Sequence, residues 1–286
     1  METASRIGEL RAEVSAARQA GRSIDFVPTM GALHEGHLSL IDRAREGDGG
    51  YVVVSIFLNP LQFGPAEDFA SYPRDLERDL LEADRTGADL VFAPSVEEMY
   101  PSGEIETRVQ PGRIGQILEG RFRPGHFTGV ATVCTKLFNL VQPDRVYLGQ
   151  KDAQQVAVLR QVVADLDFPI ELVVCPTVRE ADGLAMSSRN LLLTEPERGA
   201  APVLYLALRQ AADDISRGRP VAEAVAGARA LIEGQERVRL QYLEAVNPRS
   251  FEPAAEKPGQ VTLVVAAFVG SVRLIDNVIV GTGPPA

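Results

Sequence analysis

Cysteine and histidine are both scarce in this chain, with two and three residues among 286. Two cysteines, Cys134 and Cys175, are too few for a disulfide framework or a four-thiolate metal site, which fits a reducing, cytoplasmic setting. Long apolar runs are missing as well. The longest, VTLVVAAFV, is far shorter than a membrane span, and the opening METASRIGELRAEVSAARQAGRS is charged throughout, so neither export nor insertion is expected. Positive charge is in deficit: the formal net charge is −10, and such a field repels phosphate backbones and acidic membranes. Nucleic acid and membrane are therefore not expected partners, and any anionic ligand has to be gripped by a local cluster. Repeats, low-complexity tracts and heptads are also lacking, and the Pro-rich GTGPPA reads as a tail.

What is present is core material, 45% hydrophobic residues, enough for one large or two small domains. Ile7, Leu10, Val14 and Ala17 recur at helical spacing before Gly21, SIDFVPT follows as a strand, and EGHLSLIDRARE is helical again. YVVVSIF is a β-branched run without alternation, the mark of a strand buried on both faces. A helix near 73–85, the strand ADLVFAP, a long helix after 126, the strand DRVYLG, the helix AQQVAVLRQVVADL and the strand IELVVC continue the alternation, giving five strands with helical crossovers. Val130, Val133, Cys134, Leu137, Phe138 and Val141 share one helix face, so Cys134 is expected in the core, as is Cys175 at a strand end. After about residue 190 come two helical stretches, 195–216 and 220–234, and three extended segments, RVRLQYLEAV, VTLVVAAFV and SVRLIDNVIV. The expected architecture is α/β: a Rossmann-like parallel sheet with helices on both faces over 1–185, and a smaller C-terminal α+β domain over 186–286 covering the active site.

Two of the three histidines stand in PTMGALHEGHLSL, where a strand gives way to a helix. Ligands of parallel sheets bind beyond the carboxyl ends of strands, where helix N-termini favour phosphate. Gly31 and Gly36 permit tight turns and close approach, and His34 and His37 can share a face of the first turn with ring N–H groups toward phosphate oxygens. The same pair could ligate a metal, although no third ligand stands at metal-site spacing; either histidine could also cap the helix or pack in the core. In YLGQKDAQQ, Gly149 allows a turn, Lys151 could reach a phosphate, and Gln154 and Gln155 could offer amides, against a reading of Asp152 as a helix cap with Lys151 solvated. READGLAMSSRNLLL could be an anion-binding loop or interdomain linker. FLNPLQFGPAEDFASYPRDLERDL is long for a connection and could form a substrate wall or lid, with Asn59 and Gln62 as polar candidates, unless Asn59 serves the turn before Pro60 and Gln62 is solvated. Capping or a surface turn is the expected account of His126 in GRFRPGHFTGV.

PTMGALHEGH, NPLQFGPAEDFASYPR, DLVFAPSVEEMYP, RPGHFTGVATVCTKLFNLVQPD, GQKDAQQ, DGLAMSSRN and RLIDN, in this order, resemble the pantoate:β-alanine ligase family, and more distantly the nucleotidyltransferases with a His-x-Gly-His signature, here His34-Glu35-Gly36-His37. The resemblance spans nearly the whole chain. It implies an ATP-dependent acid–amine ligase, AMP-forming, that condenses (R)-pantoate with β-alanine into pantothenate through a pantoyl adenylate, with Mg2+, in a cytoplasmic homodimer. By the same resemblance Met30, Gly31, Ala32, Leu33, His34, Glu35, Gly36 and His37 bind ATP, with Gly149, Gln150, Lys151, Asp152, Val178 (backbone to adenine), Met186, Ser187, Ser188 and Arg189. His37, His34 and Lys151 are the implied catalytic groups, Gln62 and Gln155 hold pantoate, Asp79 points toward Mg2+, and Asn59 and Tyr72 are further candidates. The family usually reads Gly-Glu-Lys-Asp where this chain has Gly149-Gln150-Lys151-Asp152. If that carboxylate only accepts a hydrogen bond, glutamine can replace it; if its charge matters, activity or nucleotide affinity falls. The rival readings are a nucleotidyltransferase acting on a phosphorylated substrate, against which the neutral Gln62 and Gln155 argue, and a catalytically impaired nucleotide-binding homologue.

Overall fold

In this computed structural model, residues 1–47, 49–64, 69–70, 72–103, 105–254 and 259–281 are described. They form two compact units, Met1–Gly149 with Val158–Cys175, and Gln150–Ala157 with Pro176–Ala286. The division after Cys175 differs from the boundary expected at 185. The reason is that Arg179, Glu180 and Asp182 are tied by side-chain hydrogen bonds to Asp276, Asn190 and Arg198, all in the second unit.

The first unit alternates strand and helix: β1 (Glu2–Ala4), α1 (Ile7–Gln19), β2 (Ile24–Thr29), α2 (Glu35–Arg45), β3 (Tyr51–Ile56), α3 (Leu76–Thr86), β4 (Leu90–Phe92), α4 (Val96–Met99), α5 (Glu119–Phe122), α6 (His126–Val141), β5 (Arg145–Gly149), α7 (Ala153–Asp165) and β6 (Glu171–Cys175), with α7 beginning in the second unit. The strands make one parallel sheet in the order β1-β4-β3-β2-β5-β6. Val27, Val54 and Val91 are register partners that share a core with Leu40, Ile41 and Ala44 of α2 and Ala83 of α3. Their neighbours Phe26, Val53 and Leu90 point the other way, the side on which α1 and α6 pack on each other and on β2. The unbroken apolar run of β3 is thus buried on both faces, as the sequence predicts.

Six strands replace the expected five. The sixth, β1, is three residues long, exposes Glu2 and Thr3 and buries only Ala4, so its pairing with β4 leaves no hydrophobic pattern to read. Helix α3 starts at Leu76 rather than near 73 because Asp75 caps it, accepting from Arg78 N–H at 3.1 Å. Residues 65–68 and 71 of the long connection before it, and 282–286 of the Pro-rich tail, lie outside the described residues.

In the second unit α8 (Glu195–Ala200), α9 (Val203–Ser216) and α10 (Val221–Glu233) precede the antiparallel sheet of β7 (Val238–Val246), β8 (Val261–Val269) and β9 (Val272–Val280). Leu204, Leu208, Ala211 and Ile232 of the helices meet Leu243, Leu263 and Val265 of the sheet in one core. The expected helix over 195–216 is broken before Pro202, which lacks an N–H and crowds the carbonyl four residues back. Both cysteines are buried as expected, and burial pushes the Cys134 thiol up to about 12.

Candidate active site

From β2 the chain moves one way across the sheet through β3 and β4, and the other way through β5 and β6. The carboxyl end of β2 is therefore at the switch point where open α/β sheets hold ligands. The loop that leaves it is clasped by a carboxylate. Gly31 sits at φ 89°, and a Cβ there would stand 2.9 Å from Asp79 Oδ2. Ala32 follows at φ 51°, a conformation that costs an L-residue about 1–2 kcal/mol. Asp79, on α3 and 2% exposed, supports it: Oδ2 accepts Ala32 N–H at 2.8 Å and Oδ1 accepts Leu33 N–H at 2.7 Å. Burial pushes the Asp79 carboxyl above its ordinary value, and the two N–H donors oppose the rise. Its oxygens are turned to backbone N–H groups in a nearly inaccessible position, so it shapes the loop.

His34 is the N-cap of α2, and its Nδ1 accepts Gly36 N–H at 3.1 Å. A ring nitrogen that accepts carries no proton, so the neutral imidazole keeps its proton on Nε2 as a donor. Capping uses the Nδ1 edge of this ring, so it does not compete with the expected ligand role of His34 through Nε2. His37 lies in the first turn with its ring 4.2 Å from that of His34, and both stand at the positive end of the α2 dipole.

A second buried network presents Gln62. Asn59 caps the 3₁₀ turn Pro60–Gln62, its Oδ1 accepting Leu61 N–H at 3.3 Å and the Tyr100 hydroxyl at 2.8 Å. A backbone N–H can only donate, so the oxygen of Asn59 is fixed there, and Nδ2 donates to Gln62 Oε1 at 3.0 Å and to Gly129 O at 3.2 Å. Gln62 must then present Nε2 at its other edge, where it meets Met30 Sδ at 2.9 Å. The alternative of a solvated Gln62 is set aside, since it is 6% exposed. Asn59 both serves the turn and aims the amide.

His126, expected as a cap or surface turn, is buried at position N1 of α6, and Gly125 is the cap residue. Its Nδ1 is 2.9 Å from Gln62 O and its Nε2 is 3.0 Å from an Arg123 guanidinium nitrogen. A carbonyl only accepts and a guanidinium only donates, so the proton sits on Nδ1. At Gly129, one turn on, a Cβ would stand 2.3 Å from Leu61 O and 2.6 Å from Gln62 N. Helix α6 therefore holds the turn through bare backbone.

The remaining candidates belong to the second unit. Gln150, Lys151 and Asp152 form a 3₁₀ turn, in which Lys151 Nζ lies 3.8 Å from Asp152 Oδ1, and Gln155 follows in the first turn of α7. Asn277 on β9 reaches this turn: its Nδ2 donates to Gln150 O and Lys151 O, both at 2.9 Å, and Gln150 Nε2 donates to Asn277 Oδ1 at 3.0 Å. Beside it Asp276 receives Arg179 in a two-pronged pair at 2.6 and 2.9 Å; burial raises its carboxyl while Arg179 pulls it down. Val178 O accepts Met186 N–H at 3.0 Å, and Ser187 caps the 3₁₀ helix Ser188–Leu192, its hydroxyl accepting Arg189 N–H at 3.3 Å.

Comparison with known proteins places this arrangement. Residues 2–279 match the sequence profile of the family described as pantoate-beta-alanine ligase. The chain belongs to that family. A pantothenate synthetase of Caldicellulosiruptor saccharolyticus is 50% identical over 98% of this chain and 99% of its own length, and that of Moorella thermoacetica is 51% identical over 98% of each. The crystal structure of the pantothenate synthetase from Thermus thermophilus covers 99% of this chain and all of its own, with a TM-score of 0.92 at 48% identity. A pantoate-beta-alanine ligase from Francisella tularensis, complexed with beta-gamma ATP and beta-alanine, covers both chains fully with a TM-score of 0.81 at 37% identity.

Within this ligase the loop Met30–His34, Gln62 and Asp79 are joined in one unit, while Gln150, Lys151, Val178 and Met186–Arg189 share the other. Gly129 and Asn277, which set these groups together with His126, are not singled out by the sequence. RPGHFTGV and RLIDN were visible as motifs, but the partners of these residues were not.

Proposed function

We infer that this chain condenses (R)-pantoate with β-alanine, converting ATP to AMP and pyrophosphate through a pantoyl adenylate. The family match over residues 2–279 carries this reading, supported by relatives at about half identity along the whole chain. A pantoate carboxylate oxygen attacks the α-phosphorus, forming the acyl–O–P bond as the bond to pyrophosphate breaks. The β-alanine amine then attacks the acyl carbon, loses a proton and expels AMP. Bringing a carboxylate to a triphosphate gathers negative charge, so the protein has to position the reactants and counter that charge. The loop Met30–His37 serves the phosphates: Nε2–H of His34, His37 and the N-terminus of α2 converge as donors, and His37 stabilises charge on the departing pyrophosphate. Gln62 and Gln155 hold pantoate. Lys151 neutralises phosphate, Met186–Arg189 bind nucleotide, and the Val178 backbone meets adenine.

ATP enters as its Mg2+ complex. Among the described residues no group of three or more His, Cys, Asp or Glu is arranged to hold a metal ion. The same reading makes the chain a homodimer of the cytoplasm, and no described helix is long and apolar enough to cross a membrane. One assay tests the activity: protein, MgATP, pantoate and β-alanine are mixed, and AMP and pantothenate are followed. Equal yields of both are expected. Pyrophosphate release without pantoate, or ATP binding without turnover, would overturn the reading, and sedimentation equilibrium tests the dimer.

A further inference from the structure

We propose that Asn277 is a positioning residue for ATP binding: with Gln150 it forms an amide latch that aims Lys151. The inference rests on the reading of Lys151 as a phosphate ligand. Two successive carbonyls, Gln150 O and Lys151 O, lie 2.9 Å from one terminal atom of Asn277. Carbonyls only accept, so that atom is the amide nitrogen and Oδ1 is turned to the side chain of Gln150. Oδ1 in turn needs a donor, and Gln150 Nε2 supplies it at 3.0 Å. A glutamate here would set a carboxylate against Oδ1, acceptor against acceptor. Asn277 could relieve that only by turning over and abandoning both carbonyls, or the new side chain would have to swing away.

The latch has a firm base. Asn277 is 4% exposed and pairs in register with Val264 of the central strand β8. Arg179, stacked 3.7 Å over the Tyr205 ring, grips Asp276 with two bonds and donates to Asn277 O at 3.3 Å. By contrast, among the described residues the Lys151 ammonium has only the 3.8 Å approach of Asp152 as an ion pair. The direction of its side chain is thus inherited from a backbone turn whose carbonyls Asn277 holds. Gln150, which stands where the family usually has a carboxylate, donates to that same Asn277 amide.

The test is a double-mutant cycle on Gln150→Glu and Asn277→Ala, with Lys151→Ala as reference and KM measured separately for ATP, pantoate and β-alanine. Lys151→Ala is expected to raise KM for ATP. Gln150→Glu should raise it about tenfold and leave the other two KM values within twofold. In the Asn277→Ala background the same change should cost less than threefold, because the opposing acceptor is gone. An ATP KM for Gln150→Glu equal to or below wild type, or full additivity with Asn277→Ala, overturns the latch while Lys151 keeps its role. An unchanged ATP KM for Lys151→Ala overturns the phosphate reading and the aiming role with it. If Asn277→Ala does not fold, the half-buried position 150 decides alone: Gln150→Met, lacking both donor and charge, should be impaired less than Gln150→Glu, and the reverse order refutes the proposal.

Discussion

Replacing Asp79 by asparagine changes one atom in the shape of the site and reverses one hydrogen bond. The carboxylate accepts two backbone N–H groups, from Ala32 at 2.8 Å and Leu33 at 2.7 Å. An asparagine keeps a single acceptor and turns an NH2 toward the other N–H. A hydrogen bond to a charged group is worth about 1.5–3 kcal/mol, and a buried donor left without a partner costs about 1–3 kcal/mol. These figures overlap, since they describe one lost contact, so about 2–3 kcal/mol is the right scale. Ala32 holds its left-handed conformation against about 1–2 kcal/mol, so the loop has reason to relax once one clasp opens. If the binding energy of ATP must restore the loop, 2–3 kcal/mol appears as a roughly 30- to 150-fold rise in KM for ATP. Steady-state kinetics with each substrate varied in turn measures it, and circular dichroism checks that the fold persists. Wild-type ATP kinetics in a folded Asp79→Asn protein would refute the clasp as the source of loop order.

Gly129→Ala puts a Cβ about 1 Å inside ordinary contact with the backbone of Leu61, so the turn carrying Gln62 must move. About a hundredfold loss of kcat/KM for pantoate is expected, with ATP KM near wild type, and normal pantoate kinetics would remove α6 from the account of that site. His37→Ala should slow adenylate formation in a single turnover far more than it weakens β-alanine binding, and a normal first-step rate excludes the charge-stabilising role. The Asp182 carboxyl is held below its usual value first by the Arg198 side chain, so the stability it adds is present above the ordinary carboxylate pKa of about 4 and fades as pH falls through the lowered value. Both groups are partly exposed, so Arg198→Met should cost under about 1 kcal/mol at pH 7 and flatten the acid limb of the melting profile, which thermal scans from about pH 2 to 7 will record.

The sheet was legible where each strand declared itself. The run at β3 and the turn residue Gly31 speak through their own neighbours in sequence, and so do the histidines of α2. β1 did not, because a short edge strand with one buried alanine carries no period. The active-site loops were legible as positions and opaque as mechanisms. His126 is 64 residues from the Gln62 carbonyl it holds, and Asn277 is 127 residues from Gln150. Such pairings are fixed by sheet order and helix packing, which no local spacing encodes. Asp79 is a like case: its hold on Ala32 and Leu33, 47 and 46 residues away, is not written in any local spacing.

The bare-backbone contact between α6 and the turn Pro60–Gln62 also bears on how this enzyme could change its diet. If Gln62 holds the acid substrate, as proposed, substituting it alters which groups are offered but leaves their location untouched, because the location belongs to the helix. A lineage shifting toward a larger or smaller acid therefore has to begin at His126 or Gly129, which act through the turn. Directed evolution confined to the side chains that line the substrate would search the wrong residues first.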